Sequence, residues 1–170
     1  SQVFAVADAL TDNAAVLLEP LSIAVHAVLR TPPRDKEPVL VIGSGTIALA
    51  TIWALRATGF HGPMLAQAKR AHEQELARTL GATDVVAPGP EARQVLIQTG
   101  ASAYMPVVGP EVYSGGGFPL IYDCVGNRSS VAQSLGFASP RARIVVIGCV
   151  AEFKKLDLTF VWARELRIRG

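Results

Sequence analysis

The residues best suited to chemistry are Gly43-Ser44-Gly45-Thr46-Ile47-Ala48, a G-x-G-x-x-A run. In such a run the first glycine allows a tight turn. The second lets the backbone approach a pyrophosphate with no Cβ in the way, and the small third residue keeps helix and strand close. A helix opening at the second glycine adds unpaired N–H groups and a positive dipole end for phosphate. The spacing alone is weak evidence, because small residues also fill turns for packing. The context is more specific. Val39-Leu40-Val41-Ile42 just before it is the short apolar, β-branched run expected of a parallel strand covered on both faces. The residues after it read as a helix from Thr46 to Thr58, and Gly59 supplies a left-handed stop. Strand, glycine turn and helix together predict a dinucleotide-binding turn over a bare structural one.

A second recognition position lies about 20 residues on, at the end of the next strand. A carboxylate there binds ribose hydroxyls and favours NAD; a small residue beside a cation accommodates the 2′-phosphate of NADP. The chain has Gln67-Ala68-Lys69-Arg70 and no acid until Glu73. Ala68 leaves space, and Lys69 and Arg70 can pair with phosphate. The sequence therefore favours NADP over NAD, and Asp at position 68 is expected to reverse the preference. The bland alternative makes both cations solvated charges at a helix start.

The elements that must position these residues follow from periodicity and punctuation. Thr11 or Asp12 can cap a helix that continues through Arg30 with a break near Pro20. TPPRDKEP is a proline-rich connector and the clearest boundary in the chain. We divide the chain there into a helical lead-in, residues 1–37, and a dinucleotide-binding domain, residues 38–170. Further strands are expected at Met64–Gln67, Asp84–Val86, Leu120–Tyr122 and Ile144–Ile147, with helices at Ala71–Leu80, Glu91–Gln98 and Ser130–Ala138. Residues 99–117, with Pro106 and the Gly115-Gly116-Gly117 run, read as a long loop. Asp157–Phe160 reads as a strand or turn, Phe160–Glu165 as a short helix and Leu166–Ile168 as a last strand. Alternating strands and helices imply an open parallel sheet, an α/β doubly wound fold.

Composition narrows the function classes. Half of the 170 residues are hydrophobic, 18% are charged and mean hydropathy is +0.33, which excludes intrinsic disorder. Net charge is only +2 and the basic residues form no aromatic-laced patch, so no nucleic-acid partner is expected. Pro38 to Leu55 is free of charge but interrupted by Gly43 and Gly45, and reads as strand, turn and helix; no membrane partner is expected. Two cysteines make neither a disulfide scaffold nor a four-ligand zinc site. Cys124 and Cys149 read as small hydrophobes, and the expected location is cytoplasmic.

EPLSIAVHAV from Glu19 to Val28, then VLVIGSGTIA, ELARTLGATDVV, YDCVGN and RIVVIGC, resemble the nucleotide-binding half of the medium-chain dehydrogenases. The zinc-dependent branch, with sorbitol and threonine dehydrogenases, is the most similar. The resemblance runs along nearly the whole chain and implies a Rossmann domain. It also implies that the catalytic zinc is held by a further domain, so that no catalytic residue falls within these residues. By position, Glu19 falls where related enzymes place a zinc ligand or an acid near the metal, and Ile47 behind the nicotinamide ring. Cys124, Val125 and Gly126 would line the adenosine side of the cleft, and Ile147 and Gly148 would lie near the nicotinamide. The family's sheet edge implies a homodimer through the last strand. A non-catalytic NAD(P)-binding module and a zinc-free quinone reductase remain rival readings. Neither a short-chain Tyr-x-x-x-Lys pair nor a P-loop is present. His26 reads as a core or interface residue, and Trp53 and Trp162 as packing residues.

Overall fold

A computed structural model describes residues 5–107, 111–149 and 155–170. In chain order the elements are α1 (Asp12–Ala15), α2 (Leu18–Arg30), β1 (Val39–Ile42), α3 (Thr46–Ala57), β2 (Met64–Gln67), α4 (Ala71–Thr79), β3 (Asp84–Val86) and α5 (Pro90–Gln98). They continue with β4 (Ser102–Tyr104), β5 (Val112–Ser114), β6 (Phe118–Asp123), α6 (Arg128–Phe137), β7 (Ala138–Val146), α7 (Thr159–Ala163) and β8 (Arg167–Arg169). Six strands form one parallel sheet in the order β3-β2-β1-β6-β7-β8. The chain winds outward from β1 to β3, then crosses to β6 on the other side of β1. The crevice at that reversal lies outside the carboxyl ends of the strands, where ligands bind in open α/β sheets.

Side chains alternate across the sheet, so each strand feeds two cores. Val39, Val41, Met64, Ala66 and Tyr122 pack against Ala24 and Val28 of α2, Ile52 and Leu55 of α3 and Ala77 of α4. Leu40, Ile42, Leu65, Ile121 and Ile144 pack on the other face against Leu96 of α5 and Val131 and Leu135 of α6. The wholly apolar sequence of β1, at the centre of the sheet, is the consequence of being covered twice.

The connector is tied to the sheet. The buried Tyr122 hydroxyl donates to the Thr31 carbonyl at 2.7 Å. Arg143 donates to the Pro32 carbonyl at 2.7 Å and pairs with Glu37. α2 packs on α3 through Ala24, Ala27 and Val28, leaving Leu17, Leu18, Ile23 and Leu29 exposed nearby. Residues 12–30 are long and apolar enough to cross a membrane by length and composition.

Four expectations change. The helix break falls at Val16–Leu17, between α1 and α2, and Pro20 sits in the first turn of α2, where its missing N–H sacrifices no helical bond. The expected loop at 99–117 contains a small antiparallel pair, with Ser102 opposite Ser114 and Tyr104 opposite Val112; residues 108–110 lie outside the described residues. β7 begins at Ala138, not Ile144, and its register against β6 shifts between Phe118 and Leu120. Asp157–Leu158 is not a strand: the Asp157 carboxylate accepts the Thr159 N–H at 2.8 Å and leads into α7.

Candidate dinucleotide cleft

The glycine run stands at the carboxyl end of β1, and α3 starts directly from it. Gly43 has φ +116°, and a Cβ there would lie 3.0 Å from Cγ2 of Val125, so this position needs glycine for both its backbone and its neighbour. Gly45, the N-cap of α3, has an ordinary φ of −75°. Nothing lies within 4 Å of where its Cβ would be. The space beside Gly45 is therefore not required by the fold. It is room for a ligand at the end of a helix whose first N–H groups have no intrahelical partner.

That room opens into a cleft of about 340 Å³ at the switch point of the sheet. Gly43, Ser44 and Gly45 form one wall, Gln67 and Lys69 the end of β2, and Val125 with Asn127 the approach to α6. Asn127 caps α6 by accepting the Ser130 N–H at 2.9 Å. Gln67 is only 3% exposed, yet its Nε2 has no hydrogen-bond partner. A buried amide donor without an acceptor is costly, and one lining a cleft is satisfied when a polar ligand arrives. A larger cavity, about 800 Å³, lies between α2 and the ends of β7 and β8 and is lined by His26, Arg30, Ile147 and Arg169. Volume does not decide between the two: the smaller one holds the helix end and the bare glycine.

The opposite wall is organised by Asp123, the last residue of β6. Its buried carboxylate accepts the Val125 N–H at 3.0 Å and the Gly126 N–H at 2.9 Å, and Ser134 Oγ lies 3.4 Å away. Its carbonyl accepts the N–H groups of Ile147 at 2.8 Å and Gly148 at 3.1 Å. One residue thus holds the turns after β6 and β7 together. The two turns touch backbone to backbone: a Cβ on Gly126 would meet the Gly148 carbonyl, and one on Gly148 would meet Val125 and Gly126.

Sequence reading placed Gly43, Ser44, Gly45, Lys69 and Val125 in a cofactor site, and all five line this cleft. Thr46, Ile47 and Ala48 form the first turn of α3 behind it, with Ala48 buried. Ala68 is a correction: it is 1% exposed and packs in the core, so it leaves no space for a phosphate. Arg70 is the N-cap of α4 and is turned to Glu73, 3.2 Å from Nη1 to Oε1. Gly126, Ile147 and Gly148 shape the wall through backbone. Cys124 hydrogen-bonds Thr51 Oγ1 at 3.6 Å, and burial pushes its thiol up to about 12, so it stays protonated at neutral pH. Asp123, Gln67 and Glu73 were missed as site residues, although all three lie within stretches singled out for other reasons.

Zinc chemistry does not fit the described residues. Glu19 is exposed in the first turn of α2, and no group of three or more His, Cys, Asp or Glu among the described residues can hold a metal ion.

Sheet order, glycine turn and switch-point cleft define a Rossmann-type α/β domain. Residues 46–170 match the family model described as Zinc-binding dehydrogenase, and the chain belongs to that family. It is 28% identical over 156 residues to L-idonate 5-dehydrogenase of Vitis vinifera, covering 91% of this chain and 40% of that protein. Its fold matches the short chain alcohol dehydrogenase of Escherichia coli CFT073 solved with NADH, with TM-score 0.77, 23% identity, 98% of this chain and 45% of that one. It also matches a zinc-binding dehydrogenase of Sinorhizobium meliloti 1021 bound to NADP, with TM-score 0.68, 27% identity, 89% of this chain and 42% of that one. The chain thus spans less than half the length of these relatives.

Proposed function

We infer that this chain is the cofactor-holding part of a zinc-dependent polyol or alcohol dehydrogenase and that it binds NADP(H) in preference to NAD(H). The empty space on the Cβ side of Gly45, at the start of α3, carries this reading. In it the α3 N-terminus and the glycine backbone hold the pyrophosphate, and Gln67 Nε2 gains an acceptor. Lys69 lines the cleft, and in this reading its ammonium favours a phosphorylated ribose. The bound nicotinamide supplies hydride transfer. This chain's part is to bind and orient it. Metal ligation and the substrate's proton are assigned to residues beyond those described, in keeping with the length of the relatives.

Calorimetric titration with NADPH and NADH tests this directly, with Gly45→Ala as the control. The expected result is tighter NADPH binding, lost by more than about tenfold in Gly45→Ala while stability changes by no more than about 1 kcal/mol, the N-cap range. Equal NADPH binding in Gly45→Ala defeats the cleft assignment. Tighter NADH binding keeps the site and overturns the cofactor choice.

The last strand supports a homodimer in the same reading. Arg167–Arg169 forms the outer edge of the sheet, with its residues exposed and one row of backbone groups unpaired by the sheet. Pairing with a second copy satisfies that row. Sedimentation equilibrium is expected to give a dimer; a monomer at every concentration rejects the edge as the interface.

A further inference from the structure

Three donors converge on one carboxylate beside the glycine turn. Ser44 Oγ donates to Glu73 Oε2 at 2.7 Å. The Arg70 N–H reaches the same oxygen at 3.2 Å, and Arg70 Nη1 reaches Oε1 at 3.2 Å. Ser44 belongs to the cleft wall, whereas Arg70 and Glu73 open α4. The bond from Ser44 to Glu73 therefore ties two elements that no backbone ladder joins. Hydroxyl, backbone amide and guanidinium are a donor set suited to a phosphate monoester as well as to a carboxylate. Gln67, buried with an unpartnered Nε2, lines the same cleft and points independently to an absent polar ligand.

We propose that Ser44 and Arg70 form a phosphate subsite that Glu73 fills in the free protein, and that the 2′-phosphate of NADP(H) binds there by displacing the Glu73 carboxylate. The proposal rests on the NADP reading above and adds the residue that sets its strength. The exchange is between two anions competing for the same donors. A phosphate monoester brings about −1.5 to −2 charges and three acceptor oxygens, against one charge and two oxygens on Glu73. The Arg70 side chain is 72% exposed, so it can follow the incoming group. Glu73 does not yield by taking a proton. The Ser44 hydroxyl first, then the Arg70 N–H and the charges of Arg70 and His72, hold its carboxyl below the usual range. It must swing out as an anion, which lowers affinity for NADPH while leaving the unphosphorylated ribose of NADH little affected. Glu73 is thus a specificity-determining residue that works against the phosphate its neighbours attract.

The test measures binding of four compounds, NADPH, NADH, adenosine 2′,5′-bisphosphate and AMP, to the chain and to Glu73→Gln. The glutamine keeps an acceptor for Ser44 and for the α4 N-terminus but loses the charge. Expected are gains of about tenfold for NADPH and the bisphosphate, with NADH and AMP within about twofold. Arg70→Ala in the same background should cancel the gain. Should Glu73→Gln fold poorly by circular dichroism, Glu73→Asp, one methylene short of Ser44, replaces it, with a smaller shift in the same direction. Parallel shifts for NADPH and NADH reduce Glu73 to a helix cap and overturn the proposal. A selective loss of NADH and AMP makes Glu73 the ribose ligand and overturns it too. Wild-type preference for NADH, with the tenfold NADPH gain still present in Glu73→Gln, sinks the NADP reading but leaves the displacement standing.

Discussion

Gly148→Ala and Gly126→Ala each lower stability by about 3 kcal/mol and abolish dinucleotide binding; no other glycine in the cleft walls is expected to cost as much. The cause is the backbone contact between the turns after β6 and β7. A methyl on Gly148 falls on the main chain of Val125 and Gly126. A methyl on Gly126 falls on the Gly148 carbonyl group, 2.8 Å from Gly148 Cα, and the residue has φ +68°. A flexible side chain could turn aside, but main chain cannot, because Asp123 fixes both turns from below. Its carboxylate holds Val125 and Gly126 and its carbonyl holds Ile147 and Gly148. Relieving the clash therefore breaks hydrogen bonds at a fully buried acid, which adds to the overpacking. For a domain of this size the loss corresponds to a melting shift of about 6–12 °C. Thermal denaturation of both variants checks it. Midpoints within a degree of the parent would mean that the turns separate freely, and the account of Asp123 would be wrong. The comparison with Gly45→Ala is informative, because that glycine is expected to matter to the ligand and not to the fold.

The β1–turn–α3 unit was legible because its signals are local. Four apolar residues, two glycines and a helix pattern lie within twenty consecutive positions, and together they favour one physical reading. The open parallel, doubly wound character of the sheet followed from the alternation of strands and helices, since right-handed crossovers leave few alternatives. What failed to show in the sequence depends on partners far along the chain. Glu73 is an ordinary helix-start acid until Ser44, 29 residues earlier, is brought against it. Asp123 reads as a polar end to an apolar strand, and its role appears only when β7 places Ile147 and Gly148 beside it. The strands β4 and β5, separated in sequence by Pro106, Gly109 and Pro110, have three residues each, too short for a period-2 pattern to register. The early residues of β7, Ser139-Pro140-Arg141, look like a loop. They follow directly from α6, and the irregular register after Phe118 absorbs them. Pro20 shows the opposite case: a strong local rule puts the break at the proline, whereas the helix restarts just before it.

Ala68→Asp marks where local reading goes furthest astray, and its expected result is loss of stability by about 3 kcal/mol or more, with no gain for NADH. From the sequence, position 68 is the residue after strand two, where an acid would meet the ribose. In the structure Gln67 takes the cleft side of the strand end, and the alternation of β geometry turns Ala68 inward. The methyl is 1% exposed and packs in the core cluster that contains Ala66, Ala77 and Val85. The backbone around it is committed as well: its N–H donates to the Val86 carbonyl at 3.0 Å, and its carbonyl accepts Gln74 Nε2 at 3.1 Å. A carboxylate placed there sits among the apolar side chains of that cluster. It must be protonated, left unpaired, or extruded at the expense of the β2–β3 edge. Each route acts on the fold before it reaches the cofactor. Lys69, exposed and facing the cleft, is the adjacent position that can carry a changed charge. Lys69→Glu is expected to keep the parent's melting temperature and to weaken NADPH by about tenfold relative to NADH. A stable Ala68→Asp protein that prefers NADH would restore position 68 to the ribose site and require β2 to end one residue earlier in the cleft. An unfolded or broadly melting Ala68→Asp beside an intact Lys69→Glu that has lost NADPH affinity keeps position 68 in the core and adds Lys69, at the mouth, to the phosphate contacts of Ser44 and Arg70.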